Sequence, residues 1–92
     1  MVKKVVTLYD QKASVYLQPM MFPSLGAALR DIADGTQGDG LIAKHPSDFQ
    51  IFELGEWDDT SCKFELLDAK INHGTVQELL GKTQPREKPK AV

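Results

Sequence analysis

The stretch KHPSDFQIFELGEWDDTSCKFELL, from Lys44 to Leu67, decides the fold of this chain. Pro46 sets the backbone of an opening turn, and residues 49–54 are rich in residue types that favour strands. Residues 58–61, with the sequence DDTS, form a polar reversal, and residues 62–67 then alternate apolar with mostly polar side chains. This pattern predicts a turn followed by a β-hairpin whose second strand has one apolar face.

Cys62 is the single cysteine and shares the apolar side of the second predicted strand with Phe64 and Leu66. A cysteine in this position is predicted to be a small buried hydrophobe rather than a nucleophile. It cannot form a disulfide within the chain, and an unpaired thiol is typical of a reducing compartment.

Upstream of the hairpin, residues 5–9 predict a first strand, and residues 10–14 predict a turn. Strand character resumes at residues 15–17, but Pro19 ends this second strand early or restricts it to a sheet edge. The apolar run at the start of the chain is short and is followed by charged residues, so a signal peptide is not expected.

The segment Ser24–Gly35 predicts the principal helix, with the Ser24 hydroxyl as its N-terminal cap. Its apolar residues recur at helical spacing and form one stripe, which is expected to cover one face of the sheet. Gly35 follows the stripe and is predicted to end the helix in the left-handed conformation. The stripe consists of Leu25, Ala28, Leu29, Ile32 and Ala33.

After the hairpin, residues 68–74 are predicted to be irregular, and Thr75 with Glu78 fits a capping box for a short helix that stops at Gly81. The whole chain therefore predicts an α+β domain, residues 1–81, with the element order β-β-α-β-β. Its sheet is small and mainly antiparallel, with the principal helix on one face. The short C-terminal helix is followed by a basic flexible tail, residues 82–92.

Charge is unevenly distributed along the 92 residues, although the formal net charge is only −2. Residues 5–81 hold twelve acidic and five basic side chains, whereas Lys3 and Lys4 precede them and a basic tail follows. Two interpretations remain open: a solvated surface with a soluble tail, or basic ends that meet phosphate while the acidic body repels it.

No catalytic or metal-binding pattern stands out. Gly81-Lys82-Thr83 resembles the end of a phosphate-binding loop, but Val76 occupies the position of the required first glycine. The glycine-rich loop 34–40 lacks the acidic ladder of a calcium site, and His45 and His73 do not have metal-ligand spacing. We therefore expect no enzyme, no cofactor and no metal, and no apolar run approaches the roughly 18 residues of a membrane span.

Four segments together form a family pattern. They are Tyr9-Asp10-x-Lys12-Ala13 with Pro19 downstream, Gly26–Asp31 (GAALRD), Lys44–Phe49 (KHPSDF) and Phe52–Asp59 (FELGEWDD). Over this region the chain resembles the small nonstructural protein of the gokushoviruses, which are single-stranded DNA phages of the microvirus family. The tail after Gly81 is not part of the pattern.

The resemblance implies a protein made in the cytoplasm of the bacterial host. In this family it is linked to single-stranded DNA synthesis and genome packaging, and DNA binding is usually proposed. The family has no known enzymatic activity, so the resemblance transfers no catalytic residue to this chain.

The leading hypothesis is a non-enzymatic protein that binds single-stranded DNA. Basic side chains would neutralise phosphates, and the two tyrosines would stack on bases, so that binding is strongly salt-dependent. The candidate residues are Lys3, Lys4, Tyr9, Lys12, Tyr16, Arg30, Lys82, Arg86, Lys88 and Lys90.

The rival hypothesis is a protein-interaction module that docks onto a viral replication or capsid protein without touching DNA. Both sides of the strand at residues 49–54 are apolar, which indicates either a central strand or a partner interface. The chain is expected to form a homo-oligomer. The candidate interface residues are Phe49, Ile51, Phe52, Leu54 and Trp57.

Overall fold

The computed structural model describes residues 1–36 and 38–83. Within them the chain forms an antiparallel sheet and helices, so the predicted α+β class is confirmed. The strands are β1 (Val2–Asp10), β2 (Val15–Tyr16), β3 (Met20–Phe22), β4 (Phe49–Asp58) and β5 (Lys63–Thr75). The helices are α1 (Leu25–Gly35), α2 (Leu41–Lys44) and α3 (Val76–Thr83), and a 3₁₀ turn (Pro46–Asp48) precedes β4.

β1 lies inside the sheet and pairs on both sides. On one side it pairs with β4 along its whole length, and β4 pairs in turn with β5, which forms one edge. On its other side β1 pairs with two short strands, β2 near its end and β3 near its start. The predicted second strand is found as β2 and ends before Pro19, which cannot donate to a strand partner, and β3 is an additional strand that was not predicted.

The core lies between one face of this sheet and the helices α1 and α3. Ile51 and Phe49 of β4 are almost completely buried there, and Ala28 and Val76 from the two helices pack against them. Each large side chain removed from water in this way contributes about 1.5–3 kcal/mol. The buried cluster consists of Val6, Leu8, Phe22, Ala28, Ile32, Ala33, Phe49, Ile51, Val76 and Leu79.

Helix α1 begins as predicted but ends differently. Ser24 Oγ accepts a hydrogen bond from the Ala27 amide at 3.1 Å, and Ala28 and Ile32 of the apolar stripe are buried. Gly35 is the last helical residue rather than a left-handed stop, so that prediction is wrong. Thr36 instead closes the helix by donating its hydroxyl to the Ala33 carbonyl at 2.7 Å.

The capping box of α3 is confirmed in both directions. The Thr75 amide donates to Glu78 Oε1 at 2.9 Å, and the Glu78 amide donates to Thr75 Oγ1 at 3.1 Å. The helix runs on to Thr83, so Gly81 does not end it. The predicted flexible tail falls mostly on residues 84–92, which lie outside the described residues.

The second hairpin strand differs most from its prediction. β5 continues through residues 68–74, which were expected to be irregular, because Ile71 and Asn72 still pair with β4 on the far side of a bulge. Cys62 is exposed in the turn with φ 63°, so the prediction of a buried cysteine is wrong. Phe64 and Leu66 follow on a side of the sheet that no described helix covers. Phe64 exposes 51% of its surface to solvent, and Leu66 exposes 63%.

Candidate nucleic-acid interface

The two faces of the sheet can be assigned from the register of β1 and β4. Directly opposed residues point to the same side, and neighbours along a strand point to opposite sides. Leu8 opposes Ile51, and both belong to the core under the helices. Thr7 opposes Phe52, so these two residues lie on the other side, which we call the helix-free face.

Most aromatic residues of the chain lie on the helix-free face. The register places five of the seven there, whereas Phe22 and Phe49 are in the core. Tyr16 is central to one group, with its ring centroid 4.6 Å from that of Tyr9 and 5.9 Å from that of Phe52. The second group is the pair Trp57 and Phe64, whose ring centroids are 6.2 Å apart.

Each aromatic group has a lysine over its rings. The Lys70 Nζ atom lies 5.6 Å from the ring centroid of Tyr16 and 5.3 Å from that of Phe52, and Lys3 Nζ lies 6.0 Å from that of Trp57. These are cation–π distances. Lys3 also lies 3.6 Å from Asp59, whereas Lys70 makes no ion pair within the described residues.

A bulge in β5 brings Lys70 onto this face. The register passes from Gly55 opposite Leu66 to Glu53 opposite Ile71, so residues 67–70 oppose Leu54 alone. Such an excess of residues on one strand bends it and redirects its side chains. Lys70 is therefore placed by strand pairing and not by a local motif.

An apolar groove of about 540 Å³ opens beside Tyr16 on the helix-free face, and we call it the Tyr16 groove. Its outer wall is held to β1, because the Leu17 amide donates to the Leu8 carbonyl at 2.8 Å and Thr7 Oγ1 donates to the Leu17 carbonyl at 2.6 Å. A planar apolar ring placed there would contact Tyr16 and lie within reach of a cation. The groove is lined by Thr7, Tyr16, Leu17, Gln18, Pro19, Leu54 and Lys70.

Acidic side chains lie on the opposite side of the sheet. At the paired positions of the described strands, every acidic residue falls on the helix-bearing face, and none falls on the helix-free face. On that acidic side Lys4 Nζ forms two ion pairs, at 3.4 Å with Glu53 and at 3.1 Å with Glu56. The acidic residues concerned are Asp10, Glu53, Glu56, Asp58 and Glu65. The helix-free face therefore combines aromatic rings with Lys3 and Lys70 and carries no carboxylate at a paired position of the described strands. Asp59 of the neighbouring turn lies 3.6 Å from Lys3, and Asp68 belongs to the unpaired residues 67–70.

Glu53 and Asp10 are the buried acidic residues at the paired positions of this side, and Glu53 forms an ion pair there. Its Oε1 atom accepts a hydrogen bond from the His73 ring nitrogen at 2.9 Å. That bond, assisted by Lys4, holds the pKa of Glu53 below its ordinary value of 4.5, although burial acts in the opposite direction. The pair links β4 to β5 on the helix-bearing side.

The depressed pKa of Glu53 predicts a loss of stability in acid. A carboxyl group whose pKa is lowered by folding stabilises the fold above its ordinary pKa, and that contribution disappears as pH falls through the folded pKa. Urea unfolding should therefore show a decrease in the free energy of unfolding between about pH 5 and pH 3 that is smaller in Glu53→Gln. An equal decrease in the variant and the parent chain would contradict this role of Glu53.

The structure separates the predicted DNA-binding residues into several places. Tyr9 and Tyr16 are brought together on the helix-free face, and Lys3 is near Trp57 on the same face. The other described cations lie elsewhere: Lys4 among carboxylates, Lys12 exposed in the turn after β1, and Arg30 and Lys82 exposed on helices α1 and α3. Arg86, Lys88 and Lys90 lie outside the described residues.

The predicted interface residues also divide between the two faces. Phe49 and Ile51 are buried in the core beneath the helices, so they are not available to a partner. Phe52 and Trp57 lie on the helix-free face, and Leu54 lines the Tyr16 groove. Sequence reasoning missed Lys70 and Phe64. The alternation through Phe64 and Leu66 was the available signal for Phe64, whereas no local signal pointed to Lys70.

Within the part of the chain that the structure describes, no helix has the length and apolar character needed to cross a membrane. No group of three or more potential metal ligands comes together in the same residues.

A family model described as Phage ORF5 protein matches residues 3–90. The chain belongs to the phage ORF5 protein family. No curated protein and no solved structure matches it. The helix-free face of this phage ORF5 family member lies entirely within the matched region.

Proposed function

We propose that this phage ORF5 family member is a non-enzymatic accessory protein of a gokushovirus that binds single-stranded DNA through its helix-free face. It would act in the host cytoplasm during viral single-stranded DNA synthesis or genome packaging, as the resemblance described above implies. The observation that carries the proposal is the convergence of Tyr9, Tyr16 and Phe52 beneath Lys70, on a face with no acidic residue at a paired position of the described strands.

Stacking on this face supports single-stranded rather than double-stranded DNA. Aromatic side chains that meet unpaired bases contribute about 1–3 kcal/mol per base, with little dependence on sequence. Tyr16 is exposed and borders the Tyr16 groove, so a base can approach its ring from the solvent side. In a duplex the base faces are already stacked, and only the phosphates would be available to Lys3 and Lys70.

Phosphate contacts on the face itself are few, which sets the expected salt dependence. For single strands, log K falls with log salt by about 0.7 for each neutralised phosphate. If Lys3 and Lys70 each neutralise one phosphate, the slope of log K against log salt is about −1.4. If the four basic residues from Lys82 to Lys90 also contact phosphates, the slope steepens to about −4.

Fluorescence anisotropy with a labelled oligothymidine and a duplex of equal length tests the proposal. We expect the single strand to bind at least about tenfold more tightly than the duplex at low salt, because stacking is available only to the single strand. The slope against salt should lie within the range given above. Equal or tighter binding of the duplex, or no binding of the single strand at high protein concentration, would contradict the proposal.

A second candidate function is docking onto a viral replication or capsid protein without contact to DNA. The observation that favours it is the exposure of Phe64, Leu66 and Ile71 along the edge strand β5. Light scattering with and without the oligonucleotide separates the two candidates. If the mass of the protein in solution is the same with and without the oligonucleotide, docking is favoured. An increase in mass when the oligonucleotide is added favours the first candidate.

A further inference from the structure

Strand β5 leaves one edge of the sheet open. It is 13 residues long, and its outer side pairs with no other strand among the described residues. The opposite edge consists of two short strands separated by Pro19, which is a common protection against further pairing. A long exposed edge offers unpaired backbone groups to another strand.

Two charged residues at the start of β5 form no ion pair within the described chain. Lys63 and Glu65 are two residues apart, so they point to the same side, and both are exposed. Neither forms an ion pair with another described residue. On β4, Lys63 opposes Asp58, an opposite charge, whereas Glu65 opposes Glu56, a like charge. The edge therefore presents one positive and one negative group in a fixed order.

We propose that the start of β5, residues 63–65, pairs antiparallel with the same residues of a second copy of this chain, with Phe64 opposite Phe64 at the twofold axis. In this register Lys63 of each copy opposes Glu65 of the other, so two complementary charge pairs form. Centring the axis on Glu65 would oppose two glutamates, and centring it on Lys63 would oppose two lysines. Among these neighbouring registers that keep both helix-free faces on the same side, the Phe64 register alone satisfies the charges.

The pairing would join the two sheets into one. Phe64 lies on the helix-free face, where its ring contacts Trp57, so the two Trp57–Phe64 pairs would meet at the axis. The helix-free faces of both copies would form a continuous surface, with all helices on the other side. This inference depends on β5 alone and is tested without DNA.

Charge-swap variants test the proposal through analytical ultracentrifugation over a range of concentrations. Lys63→Glu and Glu65→Lys should each weaken self-association at least about tenfold, because each opposes like charges in both pairs. An equimolar mixture of the two variants should form a heterodimer, and the double variant Lys63→Glu/Glu65→Lys should regain the dimer. Circular dichroism of each variant confirms that it folds.

Three results would overturn the proposal: a parent chain that stays monomeric at millimolar concentration, single variants that associate as well as the parent chain, or a mixture that does not associate. Crosslinking checks the register independently. In a Cys62→Ser background, Phe64→Cys should give a disulfide-linked dimer, because opposed strand residues have Cα separations compatible with a disulfide. Lys44→Cys in the same background is the control, and equal crosslinking of both variants would also overturn the proposal.

Discussion

Replacing Gly55 with alanine is expected to remove a large part of the stability of this domain. Gly55 has φ +152°, and a Cβ atom there would lie 2.3 Å from the Glu65 carbonyl oxygen and 2.7 Å from the Leu66 Cα atom. Both contacts are to backbone, so they can be relieved only if β5 moves away from β4. A strained backbone together with a lost strand pairing should cost about 3 kcal/mol or more, in a domain whose total stability is about 5–10 kcal/mol.

Urea unfolding followed by circular dichroism measures this effect, and Gly35→Ala is the matched control. A Cβ atom at Gly35 meets no atom within 4 Å, and the residue is helical. Alanine there should leave stability unchanged or raise it by about 0.5–1 kcal/mol. If Gly55→Ala unfolds at the same urea concentration as Gly35→Ala, the close approach of β5 to β4 is not as described.

The second large effect is expected for DNA binding when Tyr16 or Lys70 is replaced. Tyr16→Ala removes a ring that a base would stack on, so affinity for oligothymidine should fall by about 1–3 kcal/mol without a change in the salt slope. Lys70→Ala removes one cation, so affinity should fall and the slope of log K against log salt should become shallower by about 0.7. Anisotropy titrations at several salt concentrations measure both quantities.

Lys44→Ala is the control for these variants, because Lys44 is exposed in α2, whose Ile42 packs against the core on the helix-bearing side. Its effect on affinity should be several times smaller than that of Lys70→Ala. The opposite ranking would place the DNA contact on the helices. Loss of affinity in Tyr16→Ala accompanied by a changed salt slope would show that Tyr16 acts through phosphate contacts rather than through stacking.

The parts of the fold that the sequence predicts are those determined by local chemistry. The caps of α1 and α3 depend on side chains three residues apart, Ser24 with the Ala27 amide and Thr75 with Glu78, and both occur as predicted. The apolar period of α1 likewise identifies its buried side. Gly35 did not follow its pattern, because the hydroxyl of Thr36 satisfies the last turn without a left-handed residue.

The parts that the sequence did not predict depend on which strand lies opposite which. Lys70 reaches Tyr16 and Phe52 only because residues 67–70 oppose Leu54 alone, and a register shift leaves no periodic mark in the sequence. Cys62 followed the alternation of Phe64 and Leu66, but the tight turn takes it with positive φ out of the strand. Tyr9 and Tyr16 were named as candidates from residue type, and their contact follows from the β1–β2 register.

For the proposed binding of single-stranded DNA, the placement of the paired strand carboxylates on the helix-bearing face has a consequence for the bound strand. With the aromatic face against the strand, each bound molecule would turn the paired carboxylates of its sheet outward. The covered strand would keep a negative exterior, so neighbouring covered strands would repel one another instead of being crosslinked. The bound protein would therefore keep covered DNA strands apart from one another in solution.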